Sequence, residues 1–266
     1  MVVLCHQLLI LLLLNATEWK AEKTASTVAD RKNLSIDGYS EILNYKMEYL
    51  NLHVANLNFS QKMDTAAGKN YLNVTAKSTP GTQLLFSVDN YYQLEIDRES
   101  FLPLRIEKRV CQKNVRHNLS LKFDHQSHRI VKDDSIEWAI QEPCFDYFSM
   151  LYFLRAKSLD QTDTVKLFID SEFLIYKVNA RFSKNQQTMT VPAGRFKVIP
   201  VRVTFEKTNN EQRPWKTDLL TNRLAQSGST LIIWLTADEL RIPVRLEYER
   251  SMLKTQLVLK SFFLQE

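Results

Sequence analysis

Apolar and polar residues alternate along much of the chain, and residues 229–249 show this most clearly. Residues 231–235 are all apolar, a polar turn follows, and apolar and charged residues then alternate over 244–249. A period of two places one face of a strand in a core and the other in water. The stretch predicts an antiparallel hairpin, with a central first arm that is covered on both faces. Pro243 cannot donate to a ladder and is expected at a strand start or on an unpaired side, and Asp238 is expected to stabilise the turn.

Similar alternation predicts strands along most of the remaining chain. The clearest segments are 71–76, 83–88, 91–96, 104–110, 115–123, 129–132, 165–169, 174–182, 197–206 and 255–263. Turn residues separate these segments. Between Tyr45 and Phe59 the apolar positions change register once. A change of register within one long strand predicts a bulge or a bend there.

Residues 145–155 break the strand pattern, because they are apolar almost all round a helical wheel. A helix that is apolar on every side is a buried helix. Asp146 is placed to cap its first turn, and Arg155 brings a positive charge to its last turn, which suits the helix dipole. The alternative is that Asp146 and Arg155 form a functional site. We prefer the structural interpretation of both residues.

Together these elements predict an all-β, mainly antiparallel chain. The expected architecture is a single-domain β roll or incomplete barrel around one buried helix, covering residues 38–266. Residues 208–229 interrupt the pattern as a long polar excursion without a clear element. Long loops of this kind are often functional or mobile.

The N-terminal residues predict export. The apolar run at residues 8–14 is too short to cross a bilayer, which takes about 20 apolar residues. It fits the hydrophobic region of a signal peptide, which we place at residues 1–20, followed by a disordered lead-in at 21–37. The expected location is the periplasm or another extracytoplasmic space, with no transmembrane span once the signal is removed.

Two cysteines, Cys111 and Cys144, would remain after signal removal. In an exported chain such a pair could form a disulfide, because the intervening segment folds back on itself. The alternative is that both are small buried thiols.

The net charge of +5 over 266 residues is a mild basic bias, and it does not indicate a nucleic-acid binder. Basic residues are concentrated in one segment. They are Arg105, Lys108, Arg109, Lys113, Arg116, Lys122, Arg129 and Lys132. Alternation would gather several of them on one sheet face, which could contact anionic lipid headgroups or glycans. The alternative is an ordinary solvated outer face.

The sequence assigns no catalytic, cofactor-binding or metal-binding residue. Asp124, His125 and His128, with His117 nearby, form the densest group of potential ligands. Zinc requires three or four convergent ligands, so a solvated hairpin tip is the preferred interpretation. A nucleophile elbow and a glycine-rich phosphate loop are both absent from the sequence.

Five local patterns, in matching order, carry a resemblance to a known family. They are EILNY at 41–45, DRESFLP at 97–103, DYFSMLYFLR at 146–155, VPAGRF at 191–196 and IWLTADELRIPV at 233–244. On these patterns the chain resembles the exported bacterial proteins grouped as domain of unknown function family 3108. The resemblance implies a signal-bearing, mostly β protein of the cell envelope and carries no catalytic residue across.

These observations favour a non-enzymatic envelope protein that binds an amphiphilic or lipid-like ligand, or an envelope partner. The 14 Phe, 10 Tyr and 4 Trp could line a cavity in an incomplete barrel, or could simply pack a core. One alternative is a hydrolase of envelope polymers with carboxylates from separate strands. Another is a structural or assembly factor. The oligomeric state stays open.

Overall fold

The computed structural model describes residues 40–83, 87–157, 164–208, 212–222, 226–250 and 253–265. The expected signal peptide and lead-in lie outside these residues, and the domain boundaries stay a prediction. The strands are β1 (Ser40–Tyr49), β2 (Leu52–Asp64), β3 (Lys69–Ser78), β4 (Asp89–Asp97), β5 (Pro103–Gln112), β6 (Val115–Asp124), β7 (Arg129–Lys132), β8 (Ile136–Ala139), β9 (Cys144–Phe145), β10 (Thr164–Ser171), β11 (Leu174–Phe182), β12 (Gln187–Val191), β13 (Gly194–Lys207), β14 (Thr230–Thr236), β15 (Pro243–Arg250) and β16 (Leu253–Gln265).

The strands form one large sheet with a simple meandering topology. Its order is β8-β7-β6-β5-β4-β3-β2-β1-β16-β15-β14-β13-β11-β10-β9, and β12 pairs with β13. The first seven strands each pair with the next strand in sequence, and β1 pairs with β16, which joins the two halves of the chain. Among the described strands, the β9–β10 pair is parallel and the other ladders are antiparallel. The predicted all-β, mainly antiparallel class is confirmed.

The sheet curls because its two edge strands are neighbours in the chain. Fifteen flat strands spaced at about 4.8 Å would hold the two edges roughly 65 Å apart. Residues 140–143, which join β8 to β9, can span less than about 20 Å. A side-chain hydrogen bond also links the two edge regions, because Trp138 Nε1 on β8 donates to Asp170 Oδ1 on β10 at 3.0 Å. The result is the predicted incomplete barrel.

One helix, α1 (Tyr147–Ala156), lies inside the curled sheet. Asp146 caps it as expected, accepting from the backbone amides of Phe148 and Ser149 while the Ser149 hydroxyl accepts from the Asp146 amide. The Phe148 ring lies 5.0 Å from the ring of Tyr92 and 5.7 Å from that of Phe59, centroid to centroid. The predicted buried helix is therefore confirmed, and its aromatic residues pack against the inner face of the sheet.

A second, short helix, α2 (Leu219–Asn222), lies in the long polar excursion. Within the described ranges, no helix is both long enough and apolar enough to cross a membrane.

The C-terminal hairpin is close to its prediction. Strand β14 lies between β13 and β15, β15 begins at Pro243, and the Asp238 carboxylate accepts from the hydroxyl of Thr236 in the turn. Strand β14 was expected to be covered on both faces, but its outer face is only partly covered. Ile232 and Trp234, on the outer face, are half-buried.

The predicted bulge or bend between residues 45 and 59 needs a correction. The chain there makes a hairpin of β1 and β2, which turns at Leu50 and Asn51 with φ angles of 50° and 65°. A register shift is also present, opposite Met47 and Glu48. Positive φ normally selects Gly or Asn, so a turn that begins with Leu lacks the usual sequence signal.

Candidate functional site

A cavity of about 70 Å³ lies between helix α1 and the inner face of the sheet. The first half of the helix forms one wall, with Tyr147, Phe148, Met150 and Leu151. Because paired residues share a face of a sheet, the opposite wall follows from strand register. Two adjacent cross-strand rows form it: Thr255, Tyr248 and Leu231, and then Met47, Leu257, Leu246 and Ile233. The lining is almost entirely apolar.

The hydroxyl of Tyr147 is a polar group in this apolar setting. The Tyr147 side chain is 8% exposed, and its Oη has no hydrogen-bond partner among the described residues. Burial raises the pKa of Tyr147 well above its ordinary value, so the hydroxyl keeps its proton. A buried hydroxyl without a partner costs free energy. It is therefore a candidate donor to a bound ligand.

The cavity is closed on one side by the segment that the sequence presented as a polar excursion. We call residues 212–222 the cap segment. Its short helix α2 contributes Leu220 and Thr221 to the cavity lining. The cap segment therefore lies against the interior of the fold, at the same end as the hairpin that joins β15 to β16.

Asp218 anchors the cap segment. Its carboxylate is fully buried and accepts five hydrogen bonds with lengths from 2.6 to 3.2 Å. The donors are the side chains of Asn90, Tyr92, Gln112 and Thr221 and the backbone amide of Leu220. Several donors around one carboxylate satisfy its charge without a direct ion pair. Asp218 thus fastens the cap segment to strands β4 and β5.

A buried ion pair lies beside this anchor. Lys108 Nζ, on the inner face of β5, is 3.0 Å from Glu172 Oε1, and both side chains are almost fully buried. Burial works against both charges, but the attraction between them raises the pKa of Lys108 and lowers that of Glu172. Two residues of the cap segment also contact this site, because the Thr217 hydroxyl donates to Glu172 and the Arg213 guanidinium donates to the Glu172 carbonyl oxygen.

Asp170 is a further buried carboxylate beside this ion pair. Its pKa is raised, whereas that of Glu172 is lowered. Burial raises the pKa of Asp170 to about 6, although the nearby Lys108 opposes the shift. The carboxylate accepts from Trp138 Nε1 and from the backbone amides of Glu172 and Phe173. Asp170 therefore connects the β8 edge, strand β10 and the turn that holds Glu172.

Helix α1 ends in a second buried ion pair. Arg155 donates through two nitrogens to the two carboxylate oxygens of Glu41, each at 2.7 Å, with side-chain exposures of 3% and 0%. Arg155 also donates to the carbonyl oxygens of Leu240 and Arg241. The expectation of a simple C-terminal charge was incomplete, because the local pattern did not show the partner at the start of β1.

Comparison with known proteins agrees with this architecture. A family model described as protein of unknown function, DUF3108, matches residues 43–258. The chain belongs to this family. The resemblance carried by the five sequence patterns is confirmed, while the family's description assigns no activity. None of the curated proteins matches the chain.

Two solved structures are similar to the DUF3108 chain. One is described as a beta-barrel-like protein of domain of unknown function DUF1849 from Brucella abortus; it is 8% identical, with a TM-score of 0.56 over 87% of this chain and 99% of that chain. At this identity, the likeness supports the fold alone. The other is described as a "putative lipoprotein" from Parabacteroides distasonis ATCC 8503, 9% identical, with a TM-score of 0.34 over 86% of this chain and 96% of that chain. That score is too low to support an argument.

In this DUF3108 chain the disulfide considered for Cys111 and Cys144 is not formed. Both thiols are free. Cys111 is partly exposed and follows the buried Val110, so it lies on the outer face of β5, whereas Cys144 is fully buried. A bridge requires the two Cα atoms within about 7 Å and convergent Cβ atoms, and the two thiols lie on strands β5 and β9, which do not pair with each other.

The His-rich patch is dispersed. His125 Nδ1 lies 2.8 Å from Glu142 Oε1, and its Nε2 lies 2.8 Å from the carbonyl oxygen of Pro103. His117 Nε2 is buried elsewhere on β6. Among the residues that the structure describes, no group of three or more potential ligands could hold a metal ion.

The basic segment divides between the two faces of the sheet. Lys108 points inward, which corrects its grouping with the other cations. Arg105, Arg109, Arg116 and Lys122 are exposed on the outer face, where Arg105 contacts Glu107 and Lys122 contacts Asp134. The segment therefore does not form a uniformly basic surface.

Sequence reasoning missed the cap anchor, Asp218, although one signal was present. In the sequence DLLTN at 218–222, an N-capping residue precedes two leucines, which is typical of the start of a helix. It also missed Glu172, which was assigned to a turn between strands, because the alternation of a strand does not show which turn residues face inward.

Proposed function

We propose that this DUF3108 chain is an exported, non-enzymatic protein that binds an amphiphilic or lipid-like ligand. The apolar part of the ligand would occupy the cavity between helix α1 and the sheet, and a polar acceptor on it would bond to the Tyr147 hydroxyl. The observation that carries the proposal is the buried, unpartnered Tyr147 Oη in the wall of an apolar cavity. Export is supported by the apolar run at residues 8–14.

The size of the cavity limits the ligand. A volume of about 70 Å³ would hold roughly two water molecules, but apolar walls make a poor site for water. A short apolar segment fits this space as it stands. A longer chain would need displacement of Leu220 and Thr221, which belong to the cap segment. The proposed ligand is therefore a single alkyl or acyl chain with a hydrogen-bond acceptor at or near one end.

The three buried carboxylates Asp170, Glu172 and Asp218 bear on the hydrolase alternative. They converge from separate elements, as that alternative requires, but their residues are at most 5% exposed and each carboxylate is hydrogen-bonded. A polymer cannot reach them beneath the cap segment. The geometry supports a structural role for these acids.

The first test fills the cavity. Isothermal titration calorimetry with dodecanoic acid, below its micelle concentration, measures binding to the purified protein. Ile233→Phe adds volume in the cavity wall and should weaken binding at least tenfold. Ile232→Phe is the matched control, since it adds the same atoms one residue away on the outer face and should leave binding unchanged. Equal affinities in all three proteins would contradict the proposed site.

The second test removes one oxygen atom. Tyr147→Phe should stabilise the ligand-free protein by about 1 kcal/mol, because a buried hydroxyl without a partner is removed. It should also weaken dodecanoic acid binding by roughly fivefold, since one hydrogen bond to the ligand is lost. Thermal denaturation and calorimetry measure the two effects. A hydroxyl that only packs the core would leave the affinity unchanged.

A further inference from the structure

The tip of the β1–β2 hairpin exposes two leucines. Leu50 is 57% exposed and Leu52 is 64% exposed. Leu50 also has a φ of 50°, which a bulky residue rarely adopts and which Asn or Gly adopts at lower cost. A leucine at this position is unfavourable for both hydration and backbone conformation. Residues that oppose local preference in this way are often found at functional sites.

This tip lies next to the cavity. Tyr49 pairs with Leu52 on one side and with Thr255 on the other, so these three side chains share the inner face of the sheet. Thr255 belongs to the cavity wall. The Leu50 amide also donates to the Lys254 carbonyl oxygen at 3.5 Å, which places the tips of the two hairpins together. Leu52 therefore lies in the same cross-strand row as the cavity residue Thr255, and Leu50 lies at the adjacent turn.

The charge around the tip is mainly positive. We define the end surface as the cap segment, residues 49–53 and the described ends of β15 and β16 at 249–250 and 253–254. Its exposed basic residues are Lys216, Arg250 and Lys254, whereas the guanidinium of the half-buried Arg213 is bonded to the carbonyl oxygen of Glu172. Glu249, 48% exposed, opposes them and lies 3.9 Å from Lys254 Nζ. Glu247, also within reach of Lys254, is mostly buried.

We propose that the end surface docks on an anionic lipid bilayer. Leu50 and Leu52 would enter the boundary between headgroups and acyl chains, and the basic residues would contact lipid phosphates. Exposed apolar side chains flanked by Lys and Arg are the pattern of proteins that bind the membrane interface. The inference rests on the proposed function in one respect: the bilayer is then the source or the destination of the amphiphile in the adjacent cavity.

Co-sedimentation with vesicles tests the docking directly. Vesicles of phosphatidylcholine with 30% phosphatidylglycerol (about one lipid in three) should bind the protein, and Leu50→Asn/Leu52→Gln should reduce the partition coefficient at least tenfold. Asn suits the positive φ of the turn, so this variant should fold and denature at an unchanged or higher temperature. A loss of binding then cannot be ascribed to unfolding.

A matched control lies on the same pair of strands, at their other end. Ile42 and Phe263 are 37% and 60% exposed, and they pair across β1 and β16 at the opposite end of these strands. Ile42→Thr/Phe263→Thr removes a similar exposed apolar area and should retain vesicle binding. Equal losses in the two double variants would overturn the proposal, because the attraction would then be non-specific.

The basic residues predict the lipid selectivity. Arg250→Gln/Lys254→Gln should reduce binding to the anionic vesicles severalfold and leave the weaker binding to pure phosphatidylcholine unchanged. High salt should act in the same direction on the unmodified protein. Binding that does not change with salt concentration or with lipid charge would overturn the electrostatic part of the proposal. The absence of any vesicle binding would overturn the whole docking proposal.

Dodecanoic acid calorimetry separates this proposal from the proposed function. The Leu50→Asn/Leu52→Gln variant should bind dodecanoic acid normally, because neither residue lines the cavity. If the protein binds dodecanoic acid but not vesicles, the docking fails and the cavity function stands. If it binds vesicles but not dodecanoic acid, the cavity function fails and the docking stands.

Discussion

Helix α1 and the cap segment both cover the interior of the curled sheet, but different forces hold them. Apolar and aromatic side chains make up nearly all of α1, and they are buried against the sheet. The cap segment makes fewer apolar contacts, chiefly those of Trp215 with Trp138 and Phe173 and of Leu220 with the core. It is also held by hydrogen bonds from the sheet to Asp218 and from Thr217 to Glu172. A fully buried apolar side chain contributes about 1.5–3 kcal/mol, whereas a typical hydrogen bond contributes a net of about 1 kcal/mol. The helix therefore forms part of the core, and the cap segment is a smaller unit held by a few apolar contacts together with several hydrogen bonds.

The difference in how the two elements are held indicates which of them would move when a ligand enters the cavity. The cavity lies between the two elements, with α1 on one side and Leu220 and Thr221 of the cap segment on another. Local opening in proteins favours regions with few buried apolar contacts. We therefore expect the cap segment to open for a ligand while α1 stays in place.

The largest predicted effect concerns the end of the helix. Glu41→Gln leaves the buried Arg155 guanidinium without its carboxylate. The loss of one partner from a buried ion pair typically costs about 3–5 kcal/mol. The free energy of unfolding, measured by urea denaturation, should fall by that amount for the whole molecule. A loss below about 1 kcal/mol would show that the pair does not anchor α1.

A double variant is the control for this result. In Glu41→Leu/Arg155→Met, no charge is left unpaired, and apolar atoms replace the two side chains. Since an apolar replacement of a buried ion pair is often close to neutral, the double variant should be more stable than Glu41→Gln. Additive losses would instead indicate that Glu41 and Arg155 contribute independently.

The next prediction addresses the cap segment. Asp218→Asn replaces one acceptor oxygen with a donor among groups that already donate, including Tyr92 and Gln112. We expect a loss of about 2–3 kcal/mol, because at least one buried group is left unsatisfied. Hydrogen exchange should become faster in residues 212–222 and stay slow in α1. If exchange accelerates equally in both elements, the cap segment is not a separate unit.

Thr221→Val provides a graded control. It removes one of the five donors to Asp218 and leaves the carboxylate in place. The loss in stability should be about 1 kcal/mol, with a smaller increase in exchange confined to the same residues.

The sequence predicted the elements whose stability comes from apolar periodicity. The class of the fold, the C-terminal hairpin and the buried helix followed from repeating patterns with periods of 2 or 3.6 residues, and the Asp146 cap followed from the residue type at the start of the helix. These patterns report which face of an element is buried, and that is sufficient for a meander in which most strands pair with their sequence neighbours.

The polar site could not be predicted in the same way. Asp218 meets Gln112 across 106 residues, and Arg155 meets Glu41 across 114 residues. Contacts of this kind depend on how far the sheet curls, which local alternation does not specify. Lys and Glu side chains are usually found on the solvated surface, so the sequence alone does not show that Lys108 and Glu172 are buried. Their burial becomes clear only when the structure places the two residues next to each other.

The smallest predicted effect is a pH dependence that belongs to the polar region and not to α1. The pKa of Asp170 is raised to about 6, mainly by burial, against an ordinary value of 3.8. The folded state therefore holds this proton more tightly than the unfolded state. The stability that the proton contributes is fully present below about pH 4 and is lost as the pH rises through about 6, a change of roughly 3 kcal/mol. Carboxylates with lowered pKa, such as Glu172, act in the opposite sense, so the unmodified protein alone does not isolate the effect.

The variant Asp170→Asn isolates the effect of Asp170, because the amide does not titrate. The difference in unfolding free energy between the protein and this variant should be largest at pH 4 and should shrink by pH 7. A difference that is constant over this range would show that Asp170 is already ionised at low pH and that burial does not hold its proton.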